Sequence, residues 1–392
     1  MRWVIGLGTV FEDEPKLDVN YLPPELPHRE AQLRSLSNFY SFLTESPSDM
    51  SRNVLIIGSV GSGKTVLSQR FGLNVTNEAK RYGTNLRYVH INCQECRGNL
   101  FLVLWRVMRI FHPNFPRRGY SAEELLDMLL EVLDNTDTYV VLTLDELEAL
   151  IRREGTHPIY NLTRAQEQRG DAPRRFSIIG IMREEKWLER LEESARSTLQ
   201  RNLIYLPKYE AGELVDIVRY RANLALRENA VLDEVIEMIA DLASESGDAR
   251  YALDLLWRAG KYADEALSPT ILPEHVRRAA VLVYPMVRFG DIEHLPRHTK
   301  YLLLAISRAL RQTQAVYLSM GEAKRSYAVV CEEYGEKPCG HTQLWSYVRE
   351  LAMTGIVGIK KSGEGRRGRT TLISLPRIPA EHLEGELVAR LR

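Results

Sequence analysis

The strongest constraint on this chain is the run Gly58-Ser59-Val60-Gly61-Ser62-Gly63-Lys64-Thr65, which follows directly on the apolar stretch Val54-Leu55-Ile56-Ile57. The pattern is G-x-x-x-x-G-K-[ST] with a strand before it and a helix after it, the arrangement that cradles phosphates. Gly61 and Gly63 let the backbone turn its N–H groups inward, and the N-terminus of the following helix adds positive potential. Lys64 is then placed for the β- and γ-phosphates and Thr65 for Mg2+, while Ser62 and Val66 complete the nucleotide-contacting stretch. A chance glycine-rich turn is the competing reading, and the apolar strand ahead of the loop argues against it. The pattern implies ATP or ADP as ligand.

Four more apolar runs of strand length follow, at 86–91, 139–144, 176–182 and 203–206. Short β-branched runs separated by amphipathic helical stretches indicate buried parallel strands in an α/β doubly wound domain, covering roughly residues 10–210. One of those helices is marked by Ser121 with Glu124 three residues on, a capping box ahead of Leu125, Leu129, Val132 and Leu133. The third run ends in Asp145-Glu146. Two acids at the carboxyl end of an apolar strand, after a phosphate loop, supply the second half of a nucleotide-hydrolysing site: Asp145 to hold Mg2+ through water, Glu146 to orient and polarise the attacking water.

After Pro207 the strand signals stop. Residues 212–229, 232–246 and 249–266 read as three amphipathic helices, with Pro269, Pro273 and Pro285 punctuating the end of that region. From about residue 290 a third module reads as helices followed by two short strands around a glycine-rich basic hairpin. The chain is thus divided into a nucleotide-binding base at 1–210, a helical lid at 211–285 and a terminal module at 286–392.

Composition enters by what it excludes. No apolar stretch reaches the roughly 18–20 residues that span a bilayer. Residues 1–11 are mildly apolar, but Glu12, Asp13 and Glu14 follow with no basic leader, so a secretory signal is not expected. Four cysteines make no disulfide framework, which favours an intracellular, cytoplasmic setting. Cys93 and Cys96 form a C-x-x-C, but Cys331 and Cys339 lie in another domain, so no zinc site is expected. His28 and His341 sit near functional segments and are assigned structural roles; Trp105 and Trp257 are assigned to the core. Lys+Arg and Asp+Glu are both 52, yet from His294 to Arg392 basic residues outnumber acidic ones by 16 to 9. A neutral chain with a basic end reads as a nucleic-acid binder at that end, or as a solvated basic surface.

Ahead of the phosphate loop, Tyr21-Leu22-Pro23-Pro24-Glu25-Leu26-Pro27-His28-Arg29-Glu30 resembles the opening segment of the archaeal replication initiators. These are AAA+ ATPases related to the eukaryotic origin-recognition complex and its cell-division-cycle loading partner. The resemblance extends to Asp145-Glu146, to Leu206-Pro207-Lys208-Tyr209, to Gly247-Asp248-Ala249-Arg250-Tyr251-Ala252-Leu253-Asp254-Leu255-Leu256 and to a C-terminal winged helix, so it covers nearly the whole chain. It implies an AAA+ base with a parallel sheet, an all-helical lid and a winged helix. It also implies that Arg250 is the sensor-2 arginine reaching the γ-phosphate, and that Tyr209 and Arg221 lie around the nucleotide. From spacing alone, those two are an aromatic packing residue and a surface arginine. Two positions depart from the family. Met182-Arg183 follows the sensor-1 strand where a polar residue such as Asn is usual. Ser194 falls where the trans-acting arginine is often found, leaving Arg196, with Arg201 behind it, as the nearest substitute before Ser197-Thr198-Leu199. Slow hydrolysis, with nucleotide used as a conformational switch, is the expectation.

The terminal module carries its own DNA-binding pattern. Thr342 reads as an N-cap and 343–353 as a helix, with Leu344, Val348 and Leu351 facing the core. Its other face presents Gln343, Ser346 and Arg349, residue types that contact bases in a major groove; Glu350 shares that side and disfavours dense phosphate contact. After Gly355, strands at 356–359 and 371–375 flank Lys360-Lys361-Ser362-Gly363-Glu364-Gly365-Arg366-Arg367-Gly368-Arg369. A cationic, glycine-rich tip of this kind is the wing of a winged helix, suited to a narrow minor groove; a solvated hairpin is the alternative. The resemblance further implies a duplex-touching insertion ahead of the Asp145 strand, where Arg117 and Arg118 are candidate phosphate contacts or members of a surface turn.

Together these readings imply an ATP-dependent initiator that binds double-stranded origin DNA and helps load the replicative helicase, alone or with paralogous initiators, in the cytoplasm with the nucleoid. Two rivals share the domain order: an ATP-switched transcription regulator, and an ATPase acting on proteins.

Overall fold

In the computed structural model, residues 9–165, 169, 172–191, 193–200, 202–283, 292, 294–361 and 370–391 are described. The chain divides into two compact units: residues 22–209, and residues 9–21 with the chain from Glu210 on.

The first unit is built on a five-stranded sheet: β1 (Asn53–Gly58), β2 (Leu86–Asn92), β3 (Tyr139–Asp145), β4 (Phe176–Met182) and β5 (Leu203–Leu206), in the order β2-β3-β4-β1-β5. All pairings are parallel. Alternate residues of β1 serve opposite faces. Leu55 and Ile57 join a core under α4 (Leu100–Phe111), α5 (Ala122–Asn135) and α6 (Glu148–Glu154). Val54 and Ile56 join a second core under α1 (Glu30–Phe39), α2 (Phe42–Glu45) and α3 (Lys64–Arg81). Both faces are therefore covered, which is why the central strands β1, β3 and β4 read as continuous apolar runs, whereas the edge strands β2 and β5 alternate in burial. Short helices α7 (His157–Arg164) and α8 (Glu193–Gln200) complete the unit. Parallel pairing brings the carboxyl ends of the strands to one edge: Asn92 pairs with Asp145, Ile57 with Met182 and Gly58 with Leu206. Ligands of open α/β sheets bind at that edge.

The second unit begins with α9 (Ala211–Ala225), α10 (Asp233–Ser244), α11 (Ala249–Glu265) and α12 (Pro273–Val283). The sequence reading placed three helices here and treated Pro273 as punctuation. The proline instead opens the fourth helix, a position where its missing N–H has no intrahelical acceptor to lose. The opening segment packs on this layer: Phe11 bridges to Leu226, and Trp257 and Lys261 both donate to Glu14, at 2.8 and 2.6 Å. Trp257 is thus half-buried and hydrogen-bonded, not sealed in a core.

The terminal module comprises α13 (Arg297–Thr313), β6 (Leu318–Ser319), α14 (Met320–Glu333), α15 (His341–Met353), β7 (Gly358–Lys361), β8 (Thr371–Ser374) and α16 (Ala380–Leu391). The two expected strands gain a short third partner, giving an antiparallel sheet β6-β8-β7. Leu344, Val348 and Leu351 are fully buried, as their spacing requires. The expected N-cap, Thr342, is not the cap: extended Gly340 holds that position, the helix starts at His341, and Thr342 lies exposed in its first turn. Arg277 of α12, 1 % exposed, joins lid and terminal module by donating to Leu375 O at 2.9 Å and Ala315 O at 3.1 Å while paired with Glu274. Among the described residues no helix is long and apolar enough to cross a membrane.

Candidate functional site

The phosphate loop leaves β1 at the carboxyl edge of the sheet and enters α3 through Gly63, whose φ of 92° is open to glycine alone. A side chain there would also collide, since its Cβ would lie 2.8 Å from the Tyr209 hydroxyl. Inside the loop, Ser62 Oγ donates to Ser59 O at 2.9 Å. Lys64 Nζ donates to Gly58 O and Ser59 O, both at 2.7 Å, which draws the ammonium over the loop. Gly61 and Ser62 are buried and Val66 half-buried, so the cradle is packed from behind.

Thr65 Oγ1 donates to Asp145 Oδ2 at 2.7 Å. Two segments 80 residues apart thus meet at one point, with the oxygen chemistry that a hard divalent cation such as Mg2+ prefers. Asp145 is 6 % exposed. Burial alone would raise its pKa; donors from His90 and Thr65, together with the Glu146 N–H, outweigh burial and hold the carboxyl below its ordinary value. His90 Nε2 lies 3.3 Å from Asp145 Oδ2, and its Nδ1 is 3.3 Å from the Tyr88 hydroxyl, which in turn accepts from Thr143 at 2.9 Å. His90 escaped the sequence reading. Its signal was its position two residues before the end of β2, in register with Thr143.

Glu146 has a φ of 52°, the left-handed region, which a non-glycine residue occupies only when its surroundings impose it. Its N–H donates to Asp145 Oδ1 at 2.8 Å, and its carboxylate pairs with Arg183. Arg183 stands just after β4, where the resemblance implied a polar residue such as Asn. Its Nε also lies 3.4 Å from Oε1 of Glu148, a carboxylate 5 % exposed whose pKa is raised by burial. The position where the strand departs from the family is therefore filled by a cation engaged with Glu146 and Glu148. Cys93 is buried and its N–H donates to Asp145 O at 2.8 Å; burial pushes the pKa of its thiol well up.

The remaining expected nucleotide contacts separate. Tyr209 is buried against Gly63 and the Arg29 guanidinium, so it backs the loop. Arg221 belongs to the other unit and is 5 % exposed, not a surface arginine. It donates to Lys16 O and Asp18 O, both at 2.8 Å, and stacks near Tyr21, closing the opening segment onto the lid. Burial pushes its pKa down. Arg250 stands exposed in the first turn of α11, where Asp248 caps the helix through the Arg250 and Tyr251 N–H groups. Arg196 is half-buried on α8; Arg201 lies outside the described residues.

On the terminal module, Gln343, Ser346 and Arg349 share the exposed face of α15 with Glu350. Lys361 is exposed at the end of β7, while Arg366, Arg367 and Arg369 lie outside the described residues. Lys360 is engaged elsewhere: its Nζ is 2.9 Å from Asp241 Oδ2 and 4.0 Å from Glu237 on α10, and Tyr317 donates to the same Asp241 at 2.7 Å. The reason is an acidic stripe on the lid helix that competes for the lysine. Arg117 and Arg118 are exposed on the turn after α4, with Arg117 over the Trp105 ring and Trp105 Nε1 donating to Phe115 O at 3.2 Å. Trp105 is half-buried and pins that turn.

Three stretches match known families: residues 49–188 an AAA domain, 215–281 the Cdc6 AAA+ ATPase-type lid domain, and 290–384 the CDC6 C-terminal winged helix domain. Over 373 residues the chain is 35 % identical to an ORC1-type DNA replication protein 2 of Saccharolobus solfataricus, covering 93 % of this chain and 90 % of the relative. An ORC1-type DNA replication protein of Thermococcus kodakarensis is 32 % identical over 377 residues, 94 % and 89 % of the two chains. Among solved structures, Cdc6p of Pyrobaculum aerophilum superposes with a TM-score of 0.84 at 30 % identity, covering 97 % of this chain and 98 % of the other. The Aeropyrum pernix ORC1 protein, solved in complex with DNA, gives 0.65 at 28 % identity, covering 98 % and 100 %.

Proposed function

The chain belongs to the ORC1/Cdc6 family of DNA replication initiators, and from that premise we propose that it binds duplex origin DNA in a manner set by ATP or ADP and helps load the replicative helicase. The observation that carries the reading is the Thr65–Asp145 hydrogen bond, which joins the phosphate loop to the acidic strand end at the place where a Mg2+–nucleotide would sit. Lys64 and the loop N–H groups hold the phosphates, Thr65 and Asp145 hold Mg2+, and Glu146 orients the water. Arg250 supplies the γ-phosphate contact from the lid. Arg183 keeps Glu146 paired, which fits slow hydrolysis and a nucleotide used as a switch.

DNA is gripped by the exposed face of α15 and by Lys361 with Arg366, Arg367 and Arg369. Arg117 and Arg118 add phosphate contacts from the base. The DNA complex of the Aeropyrum pernix relative supports this part of the reading. The chain acts with copies of itself or with paralogous initiators.

A salt-titrated footprint on genomic origin and promoter fragments, with ATP and with ADP, tests the whole. Protection of origin fragments that differs between the nucleotides is expected. Protection confined to promoters would move the chain to transcription control. No duplex binding at low salt would leave an ATPase that acts on proteins.

A further inference from the structure

Arg29 is among the most deeply buried side chains of the molecule, 1 % exposed, and its partners are all uncharged. Its Nε donates to Ser62 O at 3.1 Å, Nη1 to His28 O at 3.1 Å and Nη2 to Pro207 O at 2.7 Å, while its guanidinium lies 3.9 Å from the centre of the Tyr209 ring. A full positive charge held dry on three carbonyls is expensive unless something uses it. What it touches is the phosphate loop itself. Ser62 lies between the two glycines of the cradle, and its carbonyl accepts directly from the arginine.

The planarity of the peptide gives that contact a consequence. In a trans peptide the C=O and the following N–H point in opposite directions, and no cis peptide occurs among the described residues. With Ser62 C=O drawn toward Arg29, the Gly63 N–H is turned away from it, toward the side on which a phosphate loop presents its donors. Charge-assisted donation to the carbonyl also polarises the peptide and strengthens that N–H as a donor. Tyr209 closes in on the same peptide: its hydroxyl fills the space beside Gly63, and its ring lies under the same guanidinium. The opening segment, the exit of β5 and the loop are thus fastened through one side chain.

We propose that Arg29 is a positioning residue of the nucleotide site: by fixing the Ser62 carbonyl it aims the Gly63 N–H at a bound phosphate. The inference rests on the nucleotide reading above and deepens it. It assigns a task to the segment preceding the loop that neither composition nor spacing suggested.

The test compares ADP with adenosine, which lacks the phosphates, in full-length wild type, Arg29→Met and Arg29→Lys. ADP affinity is read by calorimetry and adenosine by competition. In Arg29→Met, ADP affinity falls about tenfold or more, the worth of a hydrogen bond to a charged group, while adenosine stays within about twofold. Arg29→Lys keeps the charge and recovers most of the loss. Equal losses for ADP and adenosine would reduce Arg29 to a packing residue and overturn the proposal, as would an unchanged ADP affinity. If Arg29→Met does not fold, Arg29→Lys decides by itself, with about a threefold loss for ADP only, because an ammonium cannot reproduce the fork; a loss shared with adenosine, or none, overturns it. Wild type that fails to bind ADP would remove the nucleotide reading and this inference with it.

Discussion

The phosphate corner of the base and the DNA-facing side of the winged helix are assembled in opposite ways. In the corner the working groups are bonded to one another around the buried Asp145, Ser62 and Arg29: Thr65 to Asp145, Asp145 to His90 and Glu146, Glu146 to Arg183, Ser62 to Arg29. On the winged helix Gln343, Ser346, Arg349 and Lys361 are exposed side chains. Buried polar groups that lose a partner are left unsatisfied, whereas exposed cations lose only their own contact. The corner should therefore respond to mutation as a unit, and the DNA face as a sum.

The largest effect expected is at Lys64. Lys64→Ala removes the point charge that the loop holds over its own carbonyls, and ATP and ADP affinity should fall by about 100-fold or more in calorimetry. The winged helix is untouched, so the salt dependence of duplex binding without nucleotide should keep its slope. A loss of less than about tenfold would break the contrast at its stronger end.

The wing comes next. Replacing Arg366, Arg367 and Arg369 together by alanine should weaken duplex binding for every sequence and lower the slope of log affinity against log salt by about 2.7, each arginine accounting for about a third. Single variants whose slopes fail to add to that total would show that the DNA face, too, is cooperative. Arg349→Ala should do something different: about 1–3 kcal/mol lost on the preferred site only, with little change in the slope.

The same contrast explains what could be read from sequence. The phosphate loop, the Asp145 strand end and the face of α15 rest on periods and motifs, and these the chain displays directly. The fourth lid helix was hidden because Pro273 signals both a break and a helix start. Thr342 was a false cap because glycine in extended backbone can open a helix unaided. Arg29, His90 and Arg183 act through neighbours 33, 55 and 37 residues away, at Ser62, Asp145 and Glu146. No local pattern encodes such contacts. Lys360 shows the converse: it lies in a wing-like run, yet Asp241 of the lid holds it.

A smaller effect sharpens the comparison inside the corner itself. Asp145 and Glu148 are both buried, three residues apart, and shifted in opposite directions. Asp145 has donors that favour its charged form. For Glu148 burial raises the pKa and Glu146 adds to the rise, while a contact with its own backbone N–H, Arg183 and Lys64 only partly offset it. A folded carboxyl with a raised pKa binds its proton more tightly than the unfolded one. Its contribution to stability is complete below the unfolded value of 4.5 and is lost as pH rises through the folded value. At neutral pH the Glu148 carboxylate is therefore a burden, and Glu148→Gln, which keeps the shape without the charge, should be neutral or stabilising by up to about 1 kcal/mol. Thermal melts of the variant should gain on wild type as pH rises from about 4.5 to 7 and coincide with it at the acid end. For Asp145→Asn the sign reverses. The depressed pKa contributes stability above the unfolded value of 3.8 that is lost as pH falls through the folded one, so the variant should be the less stable protein at pH 7 and approach wild type only in acid. If Glu148→Gln also destabilises at pH 7, Arg183 is holding the buried acid as firmly as the corner holds Asp145, and the two carboxylates are equivalent.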